Sequence, residues 1–153
     1  MPLFHYLALR AFAHETEDPE RVRRALRHVA RAETLAIEET KVDGSHGNRI
    51  AILEAQVKST AAERAFFEAI ARDDPRGFAR LPEELERRVD EHLNLFLRLD
   101  KQEAFQGRLV VTSSEDAVTV RGKLRTFPKG DDPRHRALQE IREFLEKAGK
   151  AKA

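Results

Sequence analysis

The side chains in this sequence best suited to chemistry are interleaved aromatic and cationic groups, and what they suit is recognition of a polyanion that carries flat rings. In Asn94–Asp100, Leu95, Leu97 and Leu99 alternate strictly with Asn94, Phe96, Arg98 and Asp100, the period-2 pattern of a half-buried strand. One face is core. The other pairs a ring for base stacking with a guanidinium for phosphate, and the chain then runs through Lys101 and Gln102 to a Phe105-Gln106-Gly107 turn. A second alternation sets Thr119, Arg121, Lys123 and Arg125 against Val118, Val120, Gly122 and Leu124. Arg10 in the first strand, and His46 and Asn48 in a glycine-flanked loop, complete the candidates for RNA contact. A competing arrangement pairs these cations with Glu38, Glu39 or Glu54 on neighbouring strands, because opposite charges across a sheet attract. The pattern leaves both arrangements open.

Nothing comparable points to catalysis. The six histidines are scattered, and no two of them, nor a histidine and an acid, share a helical face at metal-ligand spacing. No glycine-rich strand-to-helix phosphate loop occurs, and Ser45-His46 and Ser113-Ser114-Glu115 are isolated tokens. With no cysteine there is no thiolate nucleophile, disulfide or cysteine zinc site. The expectation is therefore no catalytic residue, no metal and no cofactor; an enzyme built on the Asp100-Lys101 turn is the weakest reading.

The elements that must position these groups can be read in order. Leu3–Ala13 is a strand apolar on both parities, hence central. Asp18-Pro19 supplies a cap and a first-turn proline for a helix to about Ala32, with Val22, Ala25, Leu26 and Val29 as its stripe. Its other face is basic, through Arg21, Arg23, Arg24, Arg27, His28 and Arg31, and a solvated face explains it most simply. Leu35–Val42 and Asn48–Lys58 form a hairpin around Asp43–Gly47, and Ser59–Arg72 returns to helical spacing. Asp73–Arg80 reads as a loop, and Pro82 opens a short acidic helix to about Glu91. After the Asn94 strand come Arg108–Ser113 and Asp116–Phe127, a hairpin around Ser114-Glu115, and then a last helix launched by Asp132-Pro133. The order β-α-β-β-α-α-β-β-β-α gives an α+β two-layer sandwich, a mainly antiparallel sheet with helices on one face.

At 153 residues, with 41% hydrophobic and 36% charged side chains, the chain suits one soluble domain over residues 1–148, with a Lys/Ala-rich tail at 149–153 that frays. Its 28 basic and 27 acidic residues nearly cancel, so total charge says nothing about nucleic acid and only the distribution can. The N-terminus lacks a basic leader region and Arg10 interrupts its apolar run, which predicts a cytoplasmic protein without a membrane segment.

The segment Asn94-Leu95-Phe96-Leu97-Arg98-Leu99-Asp100-Lys101-Gln102, followed by Phe105 and Gly107, resembles an archaeal family described as RNA-binding, predicted exosome subunits. Gly44-Ser45-His46-Gly47-Asn48 and His14-Glu15-Thr16-Glu17-Asp18 support the resemblance, which runs from about Leu3 to Leu145. It implies an α+β fold similar to ribosomal protein L5, comparable with double-stranded RNA-binding domains, and a non-catalytic role with RNA and exosome or other RNA-processing proteins as partners. The alternative is a protein–protein interaction module or homodimer using the exposed sheet face or edge.

Overall fold

The central strand β1, Phe4–Ala13, pairs antiparallel with β3, Arg49–Val57, on one side and β5, Ala117–Leu124, on the other. The edges are β2, Glu38–Asp43, beside β3, and β4, Asn94–Asp100, beside β5, giving the order β2-β3-β1-β5-β4. This arrangement comes from a computed structural model that describes residues 3–44, 47–125 and 132–151. The expected α+β architecture holds: five antiparallel strands bury one parity under helices and leave the other outward.

Each helix starts where its cap dictates. Asp18 accepts from Glu20 N at 3.0 Å, and Pro19 opens α1, Pro19–Ala30. Ser59 caps α2, Thr60–Asp73. The last helix, α5, runs Pro133–Ala151. Val22, Leu26 and Val29 of α1 and Phe66, Phe67 and Ile70 of α2 meet Leu7, Leu9, Leu53 and Val120 of the sheet in the core. The Phe4 ring stacks on Phe67 at 5.6 Å, and Phe144 meets both edge-on. Gly122 makes room for this cluster, since a Cβ there would stand 2.7 Å from the Phe4 ring.

The structure departs from the sequence reading at several joints. Asp73–Arg80 is not a loop: Asp74-Pro75 repeats the cap-plus-proline device and starts α3, Pro75–Arg88, which passes through Pro82. Gly77 lies in the first turn of α3, and its missing Cβ, which would lie 2.1 Å from Asp74 Oδ2, leaves space for the capping carboxylate. Nor is Arg108–Ser113 a ladder strand. Backbone N–H groups of Leu109 and Val111 donate to Asp73 and Asp74 at 3.0 Å, and a single bridge joins Val111 to Leu99. Between β4 and that segment lies a short helix, α4, Lys101–Phe105, capped by Asp100, which accepts from Glu103 N at 2.9 Å.

Two ends also differ. β2 begins at Glu38, because Leu35 and Ile37 turn toward the core instead of continuing the ladder. α5 continues through Gly149 to Ala151, since Gly149 is a point of close approach, 3.1 Å from the Phe78 ring for a would-be Cβ. β5 ends at Leu124, and the Thr126-Phe127 end of its expected span lies outside the described residues. No helix among the described residues is long and apolar enough to cross a membrane.

Candidate nucleic-acid interface

Antiparallel partners share a face, so the register sorts the outward side chains into rows across the sheet. One row reads Tyr6, Lys123, Asn94; the next Gln56, Ala8, Arg121, Phe96; the next Glu38, Glu54, Arg10, Thr119, Arg98. A further row adds Thr40, Ile52 and Phe12. Of the large hydrophobic side chains in the described residues only Val42 and Phe96 are exposed, Phe96 at 40%. Its cross-strand neighbour is Arg121, and Arg98 stands two residues along the same strand. Neither guanidinium has a hydrogen-bond or carboxylate partner among the described residues. A ring with two unpaired guanidiniums beside it offers stacking and phosphate contact together.

The scaffold holds this corner firmly. Asp90 accepts from the N–H groups of Asn94 at 2.8 Å and His92 at 3.0 Å where the chain enters β4. Arg88, paired with Glu84 on α3, donates to the Phe96 carbonyl at 3.2 Å. Lys123 keeps its outward place but gives its ammonium to the His92 carbonyl at 2.6 Å. Arg10 takes the competing arrangement: its Nη2 and Nε donate to Glu54 Oε2 at 3.0 and 3.2 Å, a cross-strand ion pair.

Lys101 is corrected outright. It is 1% exposed, and its ammonium donates to the Phe12 carbonyl at 2.5 Å, Glu17 Oε1 at 2.8 Å and Asp116 Oδ1 at 3.1 Å. Three acceptors match its three protons, so nothing remains for RNA. His14, Glu17 and Asp116 bring potential ligand atoms within 4.8 Å of one another, yet the positive charge their carboxylates face is already supplied by Lys101.

Arg125 is also turned away from the outer face. β5 ends one residue earlier, so period 2 no longer dictates its direction, and its backbone N–H donates to Leu3 O at 3.0 Å. Its half-buried side chain, with a buried and unbonded Nε, acts on Glu63 of α2. Burial pushes the Glu63 carboxyl up to about 7 against the lowering pull of Arg125.

Gln102 is exposed, but on α4, which packs on α1: the Arg21 guanidinium lies 4.8 Å over the Phe105 ring, and His28 Nδ1 is 3.2 Å from Ala104 O. Asn48 is exposed beyond the end of β3, away from the cationic rows, and His46 lies outside the described residues. The sequence reading missed Tyr6, Ala8, Phe12 and Gln56, although the first three share the parity of Arg10. On α1, Arg23 is tied to Glu20 and Glu39 at 2.7 and 2.6 Å, so part of that basic face is local ion pairing. A cavity of about 730 Å³ between α2 and α5 shares no residue with the outer sheet face.

A family model described as RNA binding matches residues 6–124. The RNA-binding protein PAB1135 of Pyrococcus abyssi is 32% identical over 150 residues, covering 93% of this chain and 94% of that protein. Among solved structures, Mth689 of Methanothermobacter thermautotrophicus, a DUF54 protein, is 33% identical with a TM-score of 0.75, covering 94% of this chain and 98% of that one. Protein AF2318 of Archaeoglobus fulgidus is 28% identical with a TM-score of 0.77, covering 92% and 99%. With all of its sheet but the first two residues of β1 inside the matched span and these relatives aligned nearly end to end, the chain belongs to this archaeal RNA-binding family.

Proposed function

We propose that this protein binds RNA without catalysis, through the outer sheet face centred on Phe96, Arg98 and Arg121. The observation that carries the reading is the exposed ring flanked by two guanidiniums that no acid among the described residues neutralises. Membership of a family described as RNA binding, and a relative named as an RNA-binding protein, support it. A cationic strand pair with an aromatic platform contacts phosphates by charge and unpaired bases by stacking. The cellular role proposed is that of an accessory to RNA processing or degradation in association with an exosome; the resemblance of the Asn94–Gln102 segment supports that part.

Titrating a structured RNA and a single strand at two salt concentrations tests the reading. Affinity should fall steeply with salt, and the Arg98→Gln, Arg121→Gln double variant should flatten the slope by about 0.7–0.9 per lost phosphate contact. A salt-insensitive association of the protein with itself would favour an apolar interface through Phe96 and Val42 instead. RNA incubated with the protein and magnesium or manganese should stay intact; cleavage that scales with protein would overturn the non-catalytic part. The exosome part predicts a changed rate of RNA decay when the protein is added to an archaeal exosome, and an unchanged rate would remove it.

A further inference from the structure

We infer that the depression over Ala8 is a seat for one unpaired nucleobase bearing an exocyclic amino group. The inference rests on the RNA-binding reading of the same face and goes further, to the kind of nucleotide taken. Along β1 the outward side chains are Tyr6, Ala8, Arg10 and Phe12, so Ala8 is the one small residue in a bulky series. Gln56 stands beside it on β3 and Arg121 on β5. The gap this leaves opens into a hollow of about 460 Å³, within the range of roughly 300–1,000 Å³ typical of small-molecule sites.

A truncated edge enlarges the hollow. The β2 ladder stops at the Glu38–Glu54 pair, so β3 from Ala55 to Val57 has no strand beside it on that side. Donors and acceptors therefore line the space without being used up within the sheet. Arg121, Gln56 and Lys58 have no side-chain partner among the described residues, nor does the Glu38 carboxylate. Glu54 gives only Oε2 to Arg10.

Arg121 on β5 and the carboxylates of Glu38 and Glu54 lie on different walls, with Lys58 at the β3 end, and the separation of Arg121 from the carboxylates selects the ligand. Arg121 on β5 presents a flat cation on which a base can stack, adjoining the Phe96 ring in the same row. Across the hollow, Glu38 and the free oxygen of Glu54 are acceptors that call for N–H donors. Adenine, cytosine and guanine carry exocyclic amino groups; uracil offers two carbonyls and a single imino N–H. A carboxylate wall therefore favours the amino-bearing bases. A base inside a duplex has its pairing edge occupied and its faces stacked, so the seat also selects single strands.

Fluorescence anisotropy with labelled oligoadenylate and oligouridylate of equal length tests this. The wild-type protein should bind oligoadenylate about tenfold more tightly, the scale of one good paired set of hydrogen bonds to a base edge. Ala8→Leu fills the floor, and Glu38→Ala with Glu54→Ala removes both acceptors of the carboxylate wall; each change should bring the two affinities to within about twofold. Melting curves establish that both variants are folded. Equal affinities in the wild type, or a preference that survives both changes, would overturn the seat while leaving RNA binding in place. Failure of both oligonucleotides and of structured RNA to bind would overturn the RNA reading itself, and the seat with it.

Discussion

Arg98 and Lys101 belong to one short segment, and their side chains leave it in opposite directions. Arg98 shares the outward parity of Phe96 and has no side-chain partner among the described residues; Lys101 shares the inward parity of Leu95, Leu97 and Leu99 and is buried. An ammonium sent inward must find acceptors, and Lys101 finds them on three separate segments: the end of β1 at Phe12, the β1–α1 turn at Glu17, and the entry to β5 at Asp116. A cation beside a binding strand is thus no sign of a ligand contact until its parity is counted. The inward cation fastens the fold, and the outward one is free to meet an anion.

Removing Lys101 should give the largest effect. Lys101→Met leaves the Glu17 and Asp116 carboxylates facing each other with the Phe12 carbonyl unbonded, a loss of about 3–5 kcal/mol, nearer the lower figure because Asp116 is half exposed. Urea unfolding reads it, and the folded fraction should bind RNA with ordinary affinity. Leu97→Ala, three residues before the Asp100 cap, should follow at about 2–4 kcal/mol as a buried large-to-small change. Lost RNA affinity with unchanged stability in Lys101→Met would invert the comparison.

Alternation made β4 and the far half of β5 legible, and the Asp-Pro caps made α1 and α5 legible, because those signals are local. The third Asp-Pro pair was obscured by Gly77 and Pro82, two residues that usually end helices; here one accommodates a carboxylate and the other lies inside the helix. Partners such as Asp73 for Leu109 and Glu17 for Lys101 join residues far apart in the chain, and no window of sequence contains both. The outer face was half legible for the same reason. Phe96, Arg98, Arg121 and Lys123 follow from parity, whereas the pairing of Arg10 with Glu54 depends on a register that only the folded sheet fixes.

A second inward cation sharpens the comparison at smaller scale. Arg125 lies near the buried carboxyl of Glu63, which burial raises from 4.5 to about 7. The folded chain therefore holds a proton there that the unfolded chain releases near pH 4.5. Its contribution to stability is fully present below that pH and is lost as pH rises through 7. Glu63→Gln cannot ionise, so relative to the wild type it should gain roughly 1–3 kcal/mol between pH 5 and pH 8. Arg125→Gln removes the pull that lowers the carboxyl, so its titration, followed by NMR, should move higher still. Stability curves of wild type and Glu63→Gln that run parallel in pH would show that this carboxyl titrates normally.

The smallest effects separate two cations that share one row of the sheet. Arg98 is unpaired, so Arg98→Gln should weaken RNA binding by roughly 0.5–1 kcal/mol and flatten the salt slope by up to about 0.9, while stability moves by less than about 0.5 kcal/mol. Arg10 is already balanced by Glu54, and Arg10→Gln should cost less than half as much affinity, with a stability change below about 1 kcal/mol for an exposed pair. The carboxylate supplies the sharper arm of the test. Glu54→Gln releases Arg10 and removes a negative charge from the face, so RNA should bind more tightly and the salt slope should steepen. If Glu54→Gln instead leaves the slope unchanged while Arg10→Gln weakens binding as much as Arg98→Gln, RNA already draws Arg10 out of its ion pair. The outward cations would then form one continuous surface, and their pairing in the free protein would not decide which of them meets phosphate.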